Sequence, residues 1–514
     1  MNRIANRVPG RRERWAVARA VALGAALLLP SCRLPELRPP VLDATLPATY
    51  AGADNAGAAG GQAPSTESSA RLGVQEFFGD PTLTRLIDDG LAANRELKIL
   101  EEEVRVAAAE VLSRRGAFLP LVGFRGAAGL GKHSQFTPEG AAEEQLQYLP
   151  GKNFPGVPGD FLFGLNVLVP LDIWRELRNA RDAARQRYFA AVEERNAFVT
   201  RMVADIAESY YGLLALDRRL EVLDQTIALQ EQSYETAKAR FDAGRGTELA
   251  VQRFRAEVRK NQSEKLIVRQ EIVEVENRIN VLAGRLPQPV ERGAANFFDL
   301  APHPLSVGTP VQLLENRPDV RRAERELIAA GLDVKVARAH FFPRVDVSGY
   351  VGYQAFNPRY LFYPEAFATN LAGDLTAPLV NRAAIRAEYR TANARQLESV
   401  YNYQQVVLTA YTEVVNRVAM AENYQKSIDI KKQQLAALEA SVDAATKLFQ
   451  AARAEYVEVL LAQRDMLEAR TVLIDTKRQQ LSAVVNAYQA LGGGTTLSVP
   501  AVLPPSGVHG KIER

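Results

Sequence analysis

The sequence predicts a mainly helical chain with a membrane-spanning β part, organised as two tandem repeats. Three observations carry this. Residues 173–241 and 381–449 hold no proline and a single glycine, Gly212, so each reads as one very long helix. Four short segments, near 122–130, 161–169, 345–353 and 367–377, alternate apolar residues with small or polar ones, the period-2 signature of a half-buried strand. The order helix, strand, strand, long helix, return helix then occurs twice along the 514 residues.

The N-terminus reads as a targeting segment, residues 1–31. Arg3, Arg7, Arg11, Arg12 and Arg14 precede an apolar run, Ala20 to Leu29, too short to span a bilayer as a helix. Leu29-Pro30-Ser31-Cys32 resembles the lipobox of bacterial lipoproteins, which makes Cys32, the only cysteine, the expected acylation site. One cysteine excludes intrachain disulfides and thiolate metal clusters. The net charge of +3, with basic and acidic residues interleaved, gives no nucleic-acid footprint.

Residues 32–75 are rich in Pro, Gly, Ala and Ser and read as an extended segment. The first repeat occupies 76–290. Asp80-Pro81 provides an N-cap and first helical residue for a helix expected to run to Pro120. A strand follows, with Val122, Phe124, Gly126, Ala128 and Leu130 on one face. A loop over 132–160 leads to a second strand, Phe161 to Val169, expected to end at Pro170.

The long helix from Ile173 would measure roughly 100 Å. Its seam is Leu213, Leu216, Leu220, Leu223, Ile227, Gln230, Tyr234, Ala237 and Phe241, in alternating steps of three and four, as in a coiled coil. Residues 243–247 turn, and a return helix is expected over 248–286.

A proline-rich linker, 291–308, separates the second repeat, 309–495, from the first; 496–514 is a tail. Thr309, Pro310 and Gln312 suit a helix start, and that helix is expected to reach Phe342 before Pro343 stops it. Val345, Val347, Gly349, Val351 and Tyr353 then alternate with Asp346, Ser348, Tyr350 and Gly352. Moving the first seam forward by 208 residues gives Ala421, Tyr424, Ile428, Lys431, Leu435, Leu438, Val442, Ala445 and Phe449, with Lys431 interrupting where Gln230 did. Residues 451–455 turn, and a return helix runs from Tyr456.

Four strands cannot close a barrel, and an open edge in lipid leaves backbone groups unpaired. Several copies must share the wall: three would give twelve strands, two a tight eight. The bland alternatives are a soluble sheet and a solid coiled coil.

Leu314-Glu315-Asn316-Arg317-Pro318-Asp319-Val320, Ala323-Glu324, Ala337-Arg338-Ala339, Phe342-Pro343, Ala377-Pro378-Leu379 and Ala490 to Gly494 closely resemble the outer-membrane efflux proteins, the TolC-like channels. Within them the resemblance is to the lipoprotein branch serving resistance-nodulation-division pumps, and it covers about residues 75 to 495. It implies a homotrimer with a twelve-stranded β-barrel in the outer membrane and a long α-helical barrel in the periplasm. It also implies a periplasmic membrane-fusion adaptor and an inner-membrane pump as partners, passive export of small molecules or drugs, no enzymatic activity, no cofactor and a covalent lipid on Cys32.

The same architecture serving type I protein secretion is the alternative; acylation at Cys32 argues against it. A periplasmic coiled-coil adaptor lipoprotein is a third reading, disfavoured by two duplicated hairpins.

The hairpin tips, 242–247 and 450–456, are the candidate working parts, because the resemblance implies that they form the entrance and the adaptor contact. Gly244 and Gly246 permit the first turn, with Asp242 and Thr247 beside them. Ala452 and Ala454 stand where relatives often carry glycine and a polar residue. Glu455, beside Tyr456, is the first candidate for an acidic ring and Asp242 the second. Three such carboxylates would favour cations. Equally, Glu455 reads as a solvated acid at a helix start. Arg317, Asp319 and Arg322 are expected to pair structurally. His133, His303, His340 and His509 are too scattered for a metal site.

Overall fold

A computed structural model describes residues 34–42, 46–50, 68–293, 296–378, 380, 382–451 and 453–494. Cys32, the signal segment, Ala452 and the 496–514 tail lie outside the described residues. In chain order the helices are α1 (Val74–Phe78), α2 (Pro81–Ala93) and α3 (Arg95–Gly116), then α4 (Pro138–Gln145), α5 (Glu176–Asp242) and α6 (Glu248–Leu282). The second repeat has α7 (Gln312–Asn316), α8 (Pro318–Ala339), α9 (Ala383–Gln450) and α10 (Tyr456–Ala490). The strands are β1 (Leu121–Leu130), the short pair β2 (Gln147–Leu149) and β3 (Lys152–Asn153), β4 (Gly159–Leu171), β5 (Arg344–Ala355) and β6 (Phe367–Thr376). No described helix is long and apolar enough to cross a membrane.

Two compact units emerge from this order. Of the described residues, one contains 34–41, 109–187 and 327–400; the other contains those within 42–108, 188–326 and 401–494.

The first unit is built on an antiparallel sheet in the order β1-β4-β5-β6. Its register sorts the side chains cleanly. Gly126, Phe163, Tyr353 and Phe367 form one rung across all four strands. The rungs of the same face hold Phe124, Leu165 and Val351, then Val122, Val167, Gly349 and Leu371. The opposite face carries Arg125, Asn166, Tyr350, Asn370, Asp346 and Asp374. From Val345 to Ala355 the apolar face of β5 spans ten residue steps. At ~3.4 Å each and a tilt of ~40° this is ~26 Å of height, against the ~25 Å apolar band of an outer-membrane wall. Leu371 on this face is 82% exposed.

Rings at the rung end of the sheet touch in sequence: Phe124 to Phe163 at 4.8 Å, Phe163 to Phe362 at 5.6 Å, Phe362 to Tyr353 at 6.0 Å, and Tyr353 to Phe367 at 5.9 Å. This string of aromatics is the arrangement found where an apolar wall meets a membrane interface. Gly164 and Gly352 face each other across β4 and β5. A Cβ on Gly164 would sit 2.6 Å from the Gly352 Cα, so only glycine permits that approach.

Several expected boundaries differ. The helix expected from Asp80 to Pro120 breaks at Asn94, whose side chain caps α3 by accepting from the Leu97 amide at 3.0 Å and donates to the Leu282 carbonyl at 2.9 Å. The helix expected over 310–342 breaks at Arg317, which is extended because Pro318 follows. Asn94 and Arg317 are 223 residues apart, as are the starts of α3 and α8, so the break itself is duplicated. Gln312 does return a hydrogen bond to the Thr309 amide, at 3.1 Å, but residues 310 and 311 are a turn.

Pro170 does not end β4, which continues to Leu171. β1 pairs no further than Leu168, so Pro170 has a neighbouring strand on one side only, the edge condition under which proline is tolerated. The loop over 132–160 is not featureless; it holds α4 and the β2-β3 pair. α6 stops at Leu282 rather than 286, and Gly284, at φ +69, closes it.

In the same unit, His340 follows α8 and lies between two carboxylates. Its Nε2 is 3.4 Å from Glu176 Oε1 and its Nδ1 is 3.0 Å from Glu388 Oε2. Leu34 and Leu37 pack against Ala337, Phe341 and Tyr389, and Asn393 bonds both backbone groups of Arg38.

The second unit is helical. Its core gathers Phe77, Leu83, Ile87, Met202, Ile206, Tyr210 and Tyr488, all buried. The linker is tied to it: the Ser69 amide donates to the Ser306 carbonyl at 2.9 Å and the His303 amide to Phe77 at 2.8 Å. The seam on α5 holds at Leu213, Leu223, Ile227, Gln230 and Ala237, which are buried, but Phe241 is exposed. Gln230, the polar interruption, accepts from Asn261 Nδ2 at 2.8 Å inside the bundle. Arg317 is buried, bonded to both oxygens of Asp319, to Glu413 at 2.9 Å and to the Ala490 carbonyl at 2.8 Å. Arg322 pairs with Glu194 and Glu326.

Candidate functional site

The two hairpin ends meet in the helical unit. Ala237, Phe254, Phe449 and Val459, one from each of α5, α6, α9 and α10, form a small buried cluster, with Tyr456 half-buried against it. Each hairpin turns beyond this plug. Asp242 is the last residue of α5 and is exposed. Gly244 sits at φ +67, where a side chain is strained. Gly246 does not need that freedom; a Cβ there would instead press within 3.1 Å of the Phe241 nitrogen. Thr247 is the N-cap of α6, its hydroxyl accepting from the Ala250 amide at 3.3 Å.

Glu455 occupies the equivalent place, 208 residues on, as N-cap of α10. Its side chain makes no capping hydrogen bond and is exposed. It lines a cavity of about 570 Å³ between the hairpins, together with Thr247, Tyr456, Glu458 and three arginines, Arg240, Arg245 and Arg453. The carboxylate of Glu455 therefore stands among cations, not in a purely acidic rim.

Sequence reading missed Arg240. Its Nη1 donates to the Phe449 carbonyl at 2.7 Å and its guanidinium lies 4.6 Å from the centre of the Phe449 ring. That carbonyl belongs to the last turn of α9, where acceptors lack an intrahelical donor and the helix end attracts a cation. One side chain thus ties the two hairpins. Position 448, its counterpart in the second repeat, is leucine, so the duplication gave no hint of it. Among the described residues no three His, Cys, Asp or Glu side chains gather as a metal site would require.

Residues 86–285 and 309–493 match the outer membrane efflux protein family. The chain belongs to that family. As an outer membrane efflux protein it is an outer-membrane channel, the exit duct of an efflux pump. The cation efflux system protein CusC of Escherichia coli strain K12 is 26% identical over 470 residues, covering 91% of this chain and 98% of its own. The probable outer membrane lipoprotein SilC of Salmonella typhimurium is 26% identical over 433 residues, 84% of this chain and 90% of its own. The open-state MtrE channel of Neisseria gonorrhoeae shares the fold, with a TM-score of 0.76 at 22% identity over 90% of this chain and 98% of that one.

Proposed function

We propose that three copies of this efflux protein close a twelve-stranded barrel and work as the passive exit of a tripartite pump. The observation that carries this is the sheet: β1 and β6 are unpaired edges of a four-stranded wall whose one face is apolar over membrane height. In lipid each unpaired backbone group costs several kcal/mol, so an edge must find another chain. Joining β6 of one copy to β1 of the next satisfies both. The polar face, with Arg125, Asn166 and Asp374, then lines the lumen.

The partners in this reading are a periplasmic adaptor at the hairpin tips and an inner-membrane pump of the resistance-nodulation-division class, which supplies the energy. Acylation of Cys32 would add a lipid anchor beside the barrel. Relatives carry names that mention cations in one case and toluene in another, which supports a duct that leaves cargo choice to the pump. At the tips, Glu455 is the charged residue we assign to the entrance, with Asp242 the second candidate and Arg240 holding the hairpins together.

Light scattering of the detergent-purified protein, after subtraction of bound detergent, is expected to give three times the mass of the processed chain that begins at Cys32, and planar bilayers are expected to show discrete conductance steps. A monomer soluble without detergent overturns the assembly. For the entrance, Glu455→Ala should lower cation selectivity; unchanged selectivity and unchanged closed-state conductance remove Glu455 from that role.

A further inference from the structure

We infer that the long loop of the first repeat holds a site for a neutral sugar ring of the cell-surface glycan. The loop, 132–158, joins β1 to β4 and has no counterpart of its length between β5 and β6. With Phe356 it encloses a cavity of about 330 Å³, at the small end of the range that takes organic ligands.

The loop is built to keep this space. Thr137 caps α4 by accepting from the Gly140 amide at 3.3 Å. Gly140 lines the cavity, and a Cβ there would sit 2.2 Å from the Ser134 carbonyl oxygen, so the loop closes only on glycine. Phe154 and Phe356 form an aromatic wall, edge to face with ring centres 4.9 Å apart. Tyr148 packs on both, at 5.7 Å from Phe154 and 4.9 Å from Phe356. Phe154 belongs to the loop and Phe356 to the chain leaving β5, so both hairpins of the sheet hold the wall.

Beside this wall stand charges of both signs. Lys132, Glu143 and Glu144 line the same cavity, with the Asn153 amide. Glu143 engages His133 Nδ1 through Oε1 at 2.7 Å, and Glu144 accepts from Gln135 through Oε2 at 2.8 Å, which leaves the other oxygen of each for a ligand. A simple cation here would face Lys132, and a simple anion would face two carboxylates. A hydroxyl both donates and accepts, so adjacent hydroxyls answer the ammonium and the carboxylates together. The C–H face of a sugar ring, slightly positive, suits the negative face of an aromatic ring. A neutral polyol with one apolar face therefore leaves no group unmatched.

The loop lies at the rim of the sheet opposite the ends that lead into the long helices. With those helices in the periplasm, as proposed above, this rim faces the cell exterior, where the outer leaflet bears saccharide. The source of the sugar rests on that reading; the chemistry of the cavity does not.

The test uses the full-length protein in a detergent without sugar headgroups, since a glycoside detergent would compete. Methyl glycosides of glucose, galactose and N-acetylglucosamine are added and followed by saturation-transfer NMR. At least one is expected to bind with a dissociation constant of the order of 1 mM, the level that a ligand of this size reaches. Oligosaccharide released from lipopolysaccharide is expected to compete with it. Glu144→Ala, at an exposed position, should weaken binding about 10-fold through the lost charge-assisted hydrogen bond, and Phe154→Leu should abolish transfer to the ring C–H protons. Tetramethylammonium and acetate, the two ionic probes, are expected not to bind. The proposal is overturned if no glycoside binds, if both variants bind as the unaltered protein does, or if only an ionic probe binds. Binding of the methyl glycosides without competition from the oligosaccharide overturns the surface glycan as the source. A protein that binds glycosides but forms no channel keeps this site and overturns the duct; a channel blind to every glycoside does the reverse.

Discussion

His340 offers a stability effect whose sign and pH window follow from its two partners. The hydrogen bond that its ring N–H donates to Glu176 raises its pKa most, burial works against the charged ring, and Glu388 adds to the rise, leaving it at about 9 instead of 6.5. Glu176 is correspondingly held below the usual carboxylate range, chiefly by the same hydrogen bond. A rise of about 2.5 corresponds to at most ~3.4 kcal/mol. The side chain is 30% exposed, so solvent screening cuts this to roughly 1–2 kcal/mol. Because the folded pKa is the higher one, the contribution is complete below pH ~6.5 and disappears as pH climbs through ~9.

The perturbation is His340→Gln, which keeps a polar side chain but no charge. Unfolding in detergent, followed by tryptophan fluorescence across pH 6 to 10, should show the unaltered protein ahead by roughly 1–2 kcal/mol at pH 6.5 and the two converging near pH 10. A gap of the same size at both ends refutes the charge argument, since only shape or packing would then be at work.

Other consequences are as direct. Arg240→Ala removes one charged hydrogen bond and one ring contact and should loosen the hairpin ends by about 1–3 kcal/mol, read as faster trypsin cleavage at Arg245 and Arg453. Phe254→Ala empties a fully buried position in the tip plug and should cost about 3–5 kcal/mol by thermal unfolding. Leu165→Arg, on the apolar face of β4, should cost about 2–4 kcal/mol in a folding assay in lipid, whereas Asn166→Arg on the polar face should be near neutral. Equal penalties for the latter pair would mean that the two faces are assigned wrongly.

The long helices were legible because nothing interrupts them: Glu176 to Asp242 contains no proline and one glycine, Gly212. The strands were legible because β5 alternates without error from Val345 to Tyr353. The break at Asn94 was not, because an asparagine among good helix formers is a weak signal; the Leu282 carbonyl that it binds comes from a distant helix. Pro318 did announce the break at Arg317, and a stricter reading of the residue before proline would have found it. The tip residues of the turns could be named from glycine and from the repeat. What the tips do electrostatically could not, since Arg240, Arg245, Arg453 and Glu455 converge only once four helices end together.

The unpaired rims of the sheet have a genetic corollary. In the proposed ring of three, every joint uses one rim from each of two neighbours, so a single defective copy spoils the whole circle. A cell making normal and rim-damaged chains in equal amounts would complete roughly one sound ring in eight. Lesions along β1 or β6 should therefore behave as dominant, while equally severe lesions buried inside one chain's own bundle should be masked by a healthy second gene.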